Sequence, residues 1–250
     1  MRAGDGGVCH QHQPEPAHRL NDASFGALVA AFPNTGFMGV PLLVALLGPK
    51  AAGPAIITIL VDLLVTASLC IALSRLDGAD EHGASKAAKN ALKSAAANPM
   101  PWAILLGAVS SAASIVLPKP VEQTLGMLAD AASPVALFTI GAVLARSQMM
   151  TAKGHAEPLA LSDYLPIAAL KLLLHPLLVL LVGAAAISLG VPLNKFALTV
   201  IVLVAALPSA SNVAMLSERY DADDGRIARI ILLTTAASFV TFSLAVALLT

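Results

Sequence analysis

From Ser24 to the C-terminus the chain is a succession of apolar stretches joined by short polar connections. A helix needs about twenty predominantly apolar residues to cross the hydrocarbon core of a bilayer. Seven stretches approach that length, at 24–47, 54–73, 100–117, 121–144, 164–189, 196–216 and 227–249. They are continuous Leu, Ala, Val and Ile without a strict period of two, which argues against a membrane-spanning barrel, whose strands alternate. The sequence therefore predicts an all-α, polytopic membrane helix bundle. Composition agrees, with 57% hydrophobic and 12% charged residues against roughly a quarter charged in soluble domains. The fifteen basic and fifteen acidic residues cancel, so no global charge points to nucleic acid. The partner dictated by composition is the lipid bilayer.

The placement of charge is more informative than its sum. Cytoplasmic loops retain Lys and Arg. One set of alternate connections, together with the N-terminal tail, holds Arg2, Arg19, Arg75, Lys86, Lys89, Lys93, Arg146, Lys153, Arg219, Arg226 and Arg229, whereas the other holds only Lys50, Lys119 and Lys195. Eleven against three places the tail in the cytoplasm and Thr250 outside it. The tail, 1–21, is polar and has no apolar core suited to a secretion signal, so it reads as a disordered, solvated segment. Its His10 and His12 lack further ligands at metal-binding spacing, and no metal site is expected. Cys9 and Cys70 lie far apart without a CxxC pattern, so no disulfide framework is expected. The long connection mixes Asp77, Asp80 and Glu81 with lysines and reads as a solvated cytoplasmic linker, 76–98, between two unequal parts, 22–75 with two spans and 99–250 with five.

Those two parts share a local pattern. Leu28-Val29-Ala30-Ala31-Phe32-Pro33-Asn34 aligns with Leu203-Val204-Ala205-Ala206-Leu207-Pro208-Ser209 at five of seven positions. Each copy lies in the penultimate span of its part, and the charge map makes the two spans run in opposite senses. A proline inside a helix removes a backbone donor and clashes with the preceding turn. Freed backbone groups are costly in hydrocarbon unless protein, water or ligand satisfies them. Asn34, Thr35 and Gly36 follow the first proline, and Ser209, Ser211 and Asn212 follow the second. Each proline could simply kink its helix while the neighbouring Asn or Ser satisfies the freed groups. A matched, inverted pair instead suggests broken helices that cross near the membrane midplane, an arrangement found at transporter substrate sites. Half-helix N-termini aimed at such a crossing favour an anionic substrate.

Ionisable groups at membrane depth are functional candidates, and four lie within the spans: Asp62, Asp130, Lys171 and His175. Lys171 and His175 are four residues apart and share a helix face, where either could contact a carboxylate or relay a proton. Lys171 could also snorkel to the cytoplasmic surface, and His175 could simply bond the backbone near Pro176. Asp62 and Asp130 lie near the centres of their spans, where coupling to a proton or sodium gradient would use such a carboxylate. No cofactor is expected. With no GxSxG, HExxH or membrane-facing metal-ligand cluster, a membrane enzyme is not expected either.

The run Ala31-Phe32-Pro33-Asn34-Thr35-Gly36-Phe37-Met38-Gly39-Val40-Pro41-Leu42 resembles the signature of the auxin efflux carrier family, which includes bacterial malonate and malate carriers. Asn98-Pro99, Ser133-Pro134-Val135-Ala136-Leu137-Phe138 with Gly141, Lys171-Leu172 with His175-Pro176, and Ala206-Leu207-Pro208 followed by Tyr220-Asp221 also resemble its pattern in order, so that the likeness covers 25–250. The resemblance implies ten helices in two inverted five-helix repeats, with the fourth and ninth broken and crossing at the substrate site, often in a homodimer of the cytoplasmic (inner) membrane. It implies a secondary active transporter of a small organic anion, a malonate- or malate-like dicarboxylate or an auxin-like acid. Only seven spans are present here. The expectation is therefore that 22–75 is a remnant of the first repeat lacking three helices and that 99–250 is a complete second repeat. The alternative is a non-transporting remnant or a regulatory partner of an intact carrier.

Overall fold

The computed structural model describes residues 16–74, 99–152 and 160–250. Cys9, His10, His12 and the linker 76–98 lie outside them. The described residues form nine helical elements in chain order: α1 (Pro16–Ala31), α2 (Thr35–Leu47), α3 (Pro49–Ser74), α4 (Pro99–Ala112), α5 (Lys119–Ala152), α6 (Leu161–Ser188), α7 (Lys195–Ala205), α8 (Asn212–Arg219) and α9 (Asp224–Leu249). No β-strand occurs among the described residues, in keeping with an all-α membrane bundle.

Local sequence explains the ends of these helices. Pro16 starts α1, where its missing N–H costs nothing. Gly48 separates α2 from α3 at φ +84°, a backbone state that side chains disfavour. Asn194 caps α7 by accepting from the Ala197 amide at 2.7 Å, and Asp223 caps α9 by accepting from Arg226 at 2.9 Å.

Three helices, α3, α6 and α9, are each long and apolar enough to cross a membrane. The spans expected at 24–47 and 196–216 are each divided in two, α1 with α2 and α7 with α8. Residues 16–21, expected in the polar tail, are helical. Helix α1 begins at Pro16 rather than near Ser24, because the polar residues at its start find protein partners: Asn21 Nδ2 donates to the carbonyls of Tyr220 at 2.9 Å and Asp221 at 3.2 Å, and Asp22 Oδ1 accepts from the Asp223 amide.

The packed interior forms two clusters. One joins Phe25, Leu28, Val29 and Phe32 of the first broken span to Leu63 and Ala67 of α3, Val213 and Ala214 of α8, and Ile227 and Ile230 of α9. The other joins Leu43 of α2 to Ala55 of α3, Val200, Leu203 and Val204 of α7, and Phe242 of α9. So α1 packs with α8 and α2 with α7, while α3 and α9 pass through both clusters. The two broken spans run past one another antiparallel, with their breaks between the clusters. Many of the contacts use Ala and Val, as expected where lipid removes the hydrophobic drive and close fit must hold helices together. Phe239, Val240 and Leu248 on α9, with Leu181 and Val182 on α6, are more than half exposed. Such faces would be a liability in water and are ordinary against lipid.

Candidate functional site at the crossing of two broken helices

Each proline removes one amide from a helix and leaves a carbonyl one turn back without its usual donor. At Pro33 that carbonyl belongs to Val29, and Ser209 Oγ donates to it at 2.7 Å. The second break thus repairs the first. The chains then pair directly: the Asn34 amide donates to the Pro208 carbonyl at 2.8 Å and the Ala210 amide to the Phe32 carbonyl at 3.0 Å, forming an antiparallel bridge between Pro33 and Ser209. At Pro208 the repair is different. The Val204 carbonyl accepts from Leu207 of its own chain at 3.1 Å, the next carbonyl, Ala205, accepts from Lys171 Nζ at 3.2 Å, and the Ser209 amide donates to Thr234 Oγ1 of α9 at 3.2 Å. The two-fold relation between the breaks is therefore approximate: the mate of the Asn34 amide bond would run from the Ser209 amide to Pro33, and Thr234 takes that donor instead.

A cavity of about 510 Å³ opens beside the first break. Its polar lining comes from Asn34, Thr35, Gly36, Asp62 and Asn212, with Pro33 at the break itself; Phe32, Phe37, Ile59, Leu63, Ala103, Ala129 and Ala210 supply an apolar wall. Asn34 precedes the first turn of α2 and Asn212 opens α8, so two helix N-termini meet at this cavity. Helix N-termini carry partial positive charge and free N–H groups suited to anions. Asn34 Nδ2 also reaches Ser211 Oγ across the crossing at 3.4 Å.

The sequence-predicted residues separate into two groups. Pro33, Asn34, Thr35, Gly36, Asn212 and Asp62 line the cavity. Pro208, Ser209 and Ser211 belong to the crossing but lie buried behind it and outside the cavity lining. Lys171 does not snorkel: it is 0% exposed, because its Nζ is held by the Ala205 carbonyl and by His175 Nδ1 at 2.9 Å. His175 partners the Lys171 side chain and also the Ala205 backbone. Asp130 is exposed on α5 and is not part of the cavity lining. Asp62 has a partner one turn along its own helix, since Thr66 Oγ1 donates to its carboxylate at 3.2 Å, and Lys171 attracts it electrostatically.

Three features escaped the sequence reading. Thr35–Gly39, Asp62–Thr66 and Leu170–Leu174 are π-helical, a wide turn frequent at functional sites, and each contains a candidate residue. Thr234 anchors the second break from 25 residues away; the Thr234-Thr235 pair within a membrane span was the available signal. Ala103 and Ala129 bring α4 and α5 to the cavity, and nothing in their sequence marks them.

Comparison with known proteins gives the family. The model of the family described as "Membrane transport protein" matches residues 17–246. The chain is 28% identical over 220 residues to the "Putative malonate transporter" of Rhizobium meliloti, covering 88% of this chain and 65% of that one. It is 30% identical over 203 residues to the "Uncharacterized transporter YfdV" of Escherichia coli K12, covering 80% and 60%. An "Uncharacterized transporter" of Methanothermobacter thermautotrophicus is 28% identical over 218 residues, covering 87% and 65%. The chain thus spans 60–65% of the length of these curated relatives. With a family match over nearly all its residues and an all-α membrane fold, the chain belongs to the membrane transport protein family of auxin efflux carriers, a family of transporters and not of enzymes.

Proposed function

We propose that the protein is a secondary active transporter that carries a small organic anion, a malonate- or malate-like dicarboxylate or an auxin-like acid, through the cytoplasmic membrane by alternating access around the crossing. The observation that carries this reading is the cavity at which Asn34 and Asn212, each at the start of a half-helix, converge from two antiparallel broken spans. Two N-termini offer positive potential without a fixed cation, which binds an anion and also releases it. The relative named for malonate supports the dicarboxylate class. In this reading the parts 22–75 and 99–250 belong to two inverted repeats that rock against each other, the N-terminal tail is cytoplasmic, the C-terminus is extracytoplasmic, and the assembly is a homodimer as in the family.

The test is uptake of labelled malonate, malate and an indole acid into proteoliposomes. Asn34→Ala and Asn212→Ala should each lower the rate about tenfold or more, the worth of one hydrogen bond to a charged group, with unchanged elution and melting. Wild-type rates in both variants would overturn the assignment of the site. Anion-induced thermal stabilisation without uptake would favour a regulatory partner of an intact carrier.

A further inference from the structure

The cavity that receives the anion in the reading above contains a charge of the wrong sign. Among the described residues that line it, Asp62 is the one ionisable group, and it sits in a π-helical turn of α3 facing Asn34, Thr35 and Asn212. The other lining residues are neutral. Helices α4 and α5 contribute Ala103 and Ala129, the break after α1 and the start of α2 contribute apolar and neutral polar residues, and α8 contributes Asn212. Asp130, next to Ala129 in sequence, is outside the lining. Thr66 donates to the carboxylate from its own helix.

The cation that acts on Asp62 is Lys171 of α6. Its ammonium is not spent in a direct ion pair, because its hydrogen bonds go to the Ala205 carbonyl and to His175. A second anion entering the cavity therefore meets the Asp62 carboxylate, while the Lys171 ammonium is buried outside the lining, and the three charges do not balance. In a water-poor cavity like charges at contact distance repel strongly and favour the protonated acid.

We propose that Asp62 links anion binding to proton binding: its carboxylate takes one proton from solvent as the anion enters, so that Asp62 neither repels the anion nor offsets Lys171, and returns that proton when the anion leaves. This rests on the organic-anion reading and selects Asp62, rather than Asp130, Lys171 or His175, as the coupling group. By linkage, anion affinity rises as pH falls and proton affinity rises as the anion binds. Inward movement of an anion then carries a proton with it.

The experiment is calorimetric titration of the purified protein with malonate in buffers of different ionisation heat, across pH, with Asp62→Asn and Asp62→Glu in parallel so that protonation of malonate itself cancels. Asn keeps the acceptor for Thr66 and cannot titrate. Wild type should take up on the order of one proton per malonate, and its affinity should fall with rising pH by up to about tenfold per unit beyond the Asp62→Asn slope, the one-proton limit. Asp62→Asn should show no excess uptake and Asp62→Glu should restore it. Infrared difference spectra of wild type alone should show a protonated-carboxyl band appearing with malonate, which keeps the idea testable if Asp62→Asn fails to fold. Equal proton uptake in wild type and Asp62→Asn, or binding without the new band, overturns the linkage while leaving the anion site standing. No malonate binding at any pH, nor of the other test anions, overturns the anion site and the linkage with it.

Discussion

The breaks at Pro33 and Pro208 share five of seven residues and occupy opposite surroundings. Around Pro208 the chain is buried without interruption at 202–211, and the groups freed there find protein partners in Leu207, Lys171 and Thr234. Around Pro33, Asn34 is half-buried and Gly36 exposed, and both face the cavity. The same interruption of a helix thus yields a ligand-facing surface in one place and a braced interior in the other. The difference arises outside the repeated motif, from Lys171 on α6 and Thr234 on α9, for which the first break has no described counterpart. Sequence likeness between repeats sets where backbone groups are freed, and the surrounding helices set what uses them.

Substitutions should separate the two breaks by what they damage. The largest effect is expected at Lys171→Met, which strips the ammonium from the Ala205 carbonyl and from Asp62 together; a loss of about 3 kcal/mol is expected from removing one member of a buried charged network. Thermal unfolding in detergent reads this, and a melting temperature equal to wild type would mean that Lys171 does not brace the second break. Ser209→Ala should come next, at about 2 kcal/mol, because the Val29 carbonyl loses its donor in a buried site; the comparison breaks if this variant melts normally but binds anion poorly. Thr234→Val, of nearly the same shape, should cost about 1 kcal/mol through the Ser209 amide and leave malonate affinity untouched. Asn34→Ala should be smallest for stability, a few tenths of a kcal/mol, since its 3.4 Å bond to Ser211 is long and part-exposed. Its cost should fall on transport instead, and a large drop in melting temperature with intact uptake would invert the contrast.

Much of this was legible in the residues. Apolar length gave the helical membrane class, and the repeated Pro-polar pair located the crossing, because proline acts on the backbone whatever surrounds it. The start of α1 was misplaced since a polar stretch such as Pro16 to Asn21 reads as a tail unless the partners of this region, Tyr220, Asp221 and Asp223, are known to be near. The depth of Lys171 was open for a similar reason: seven residues from Tyr164, its stem could reach a surface, and only the position of the Ala205 carbonyl decides that it turns inward. The division of the predicted site into cavity-lining and buried members was not readable, because Ser209 and Asn34 are equivalent in the motif and differ only in what packs over them. Wide helical turns at Asp62 and Lys171 leave no periodic signature in stretches that are apolar on all sides.

The two backbone bonds between the breaks also have a mechanical consequence. Asn34 to Pro208 and Ala210 to Phe32 form a single antiparallel bridge, too short to resist rotation about its own centre. Sliding either strand by one residue, however, would set donors against side chains of the wrong face and would pull Ser209 away from Val29. The crossing is therefore compliant to tilt and stiff to translation, the property of a pin through two levers.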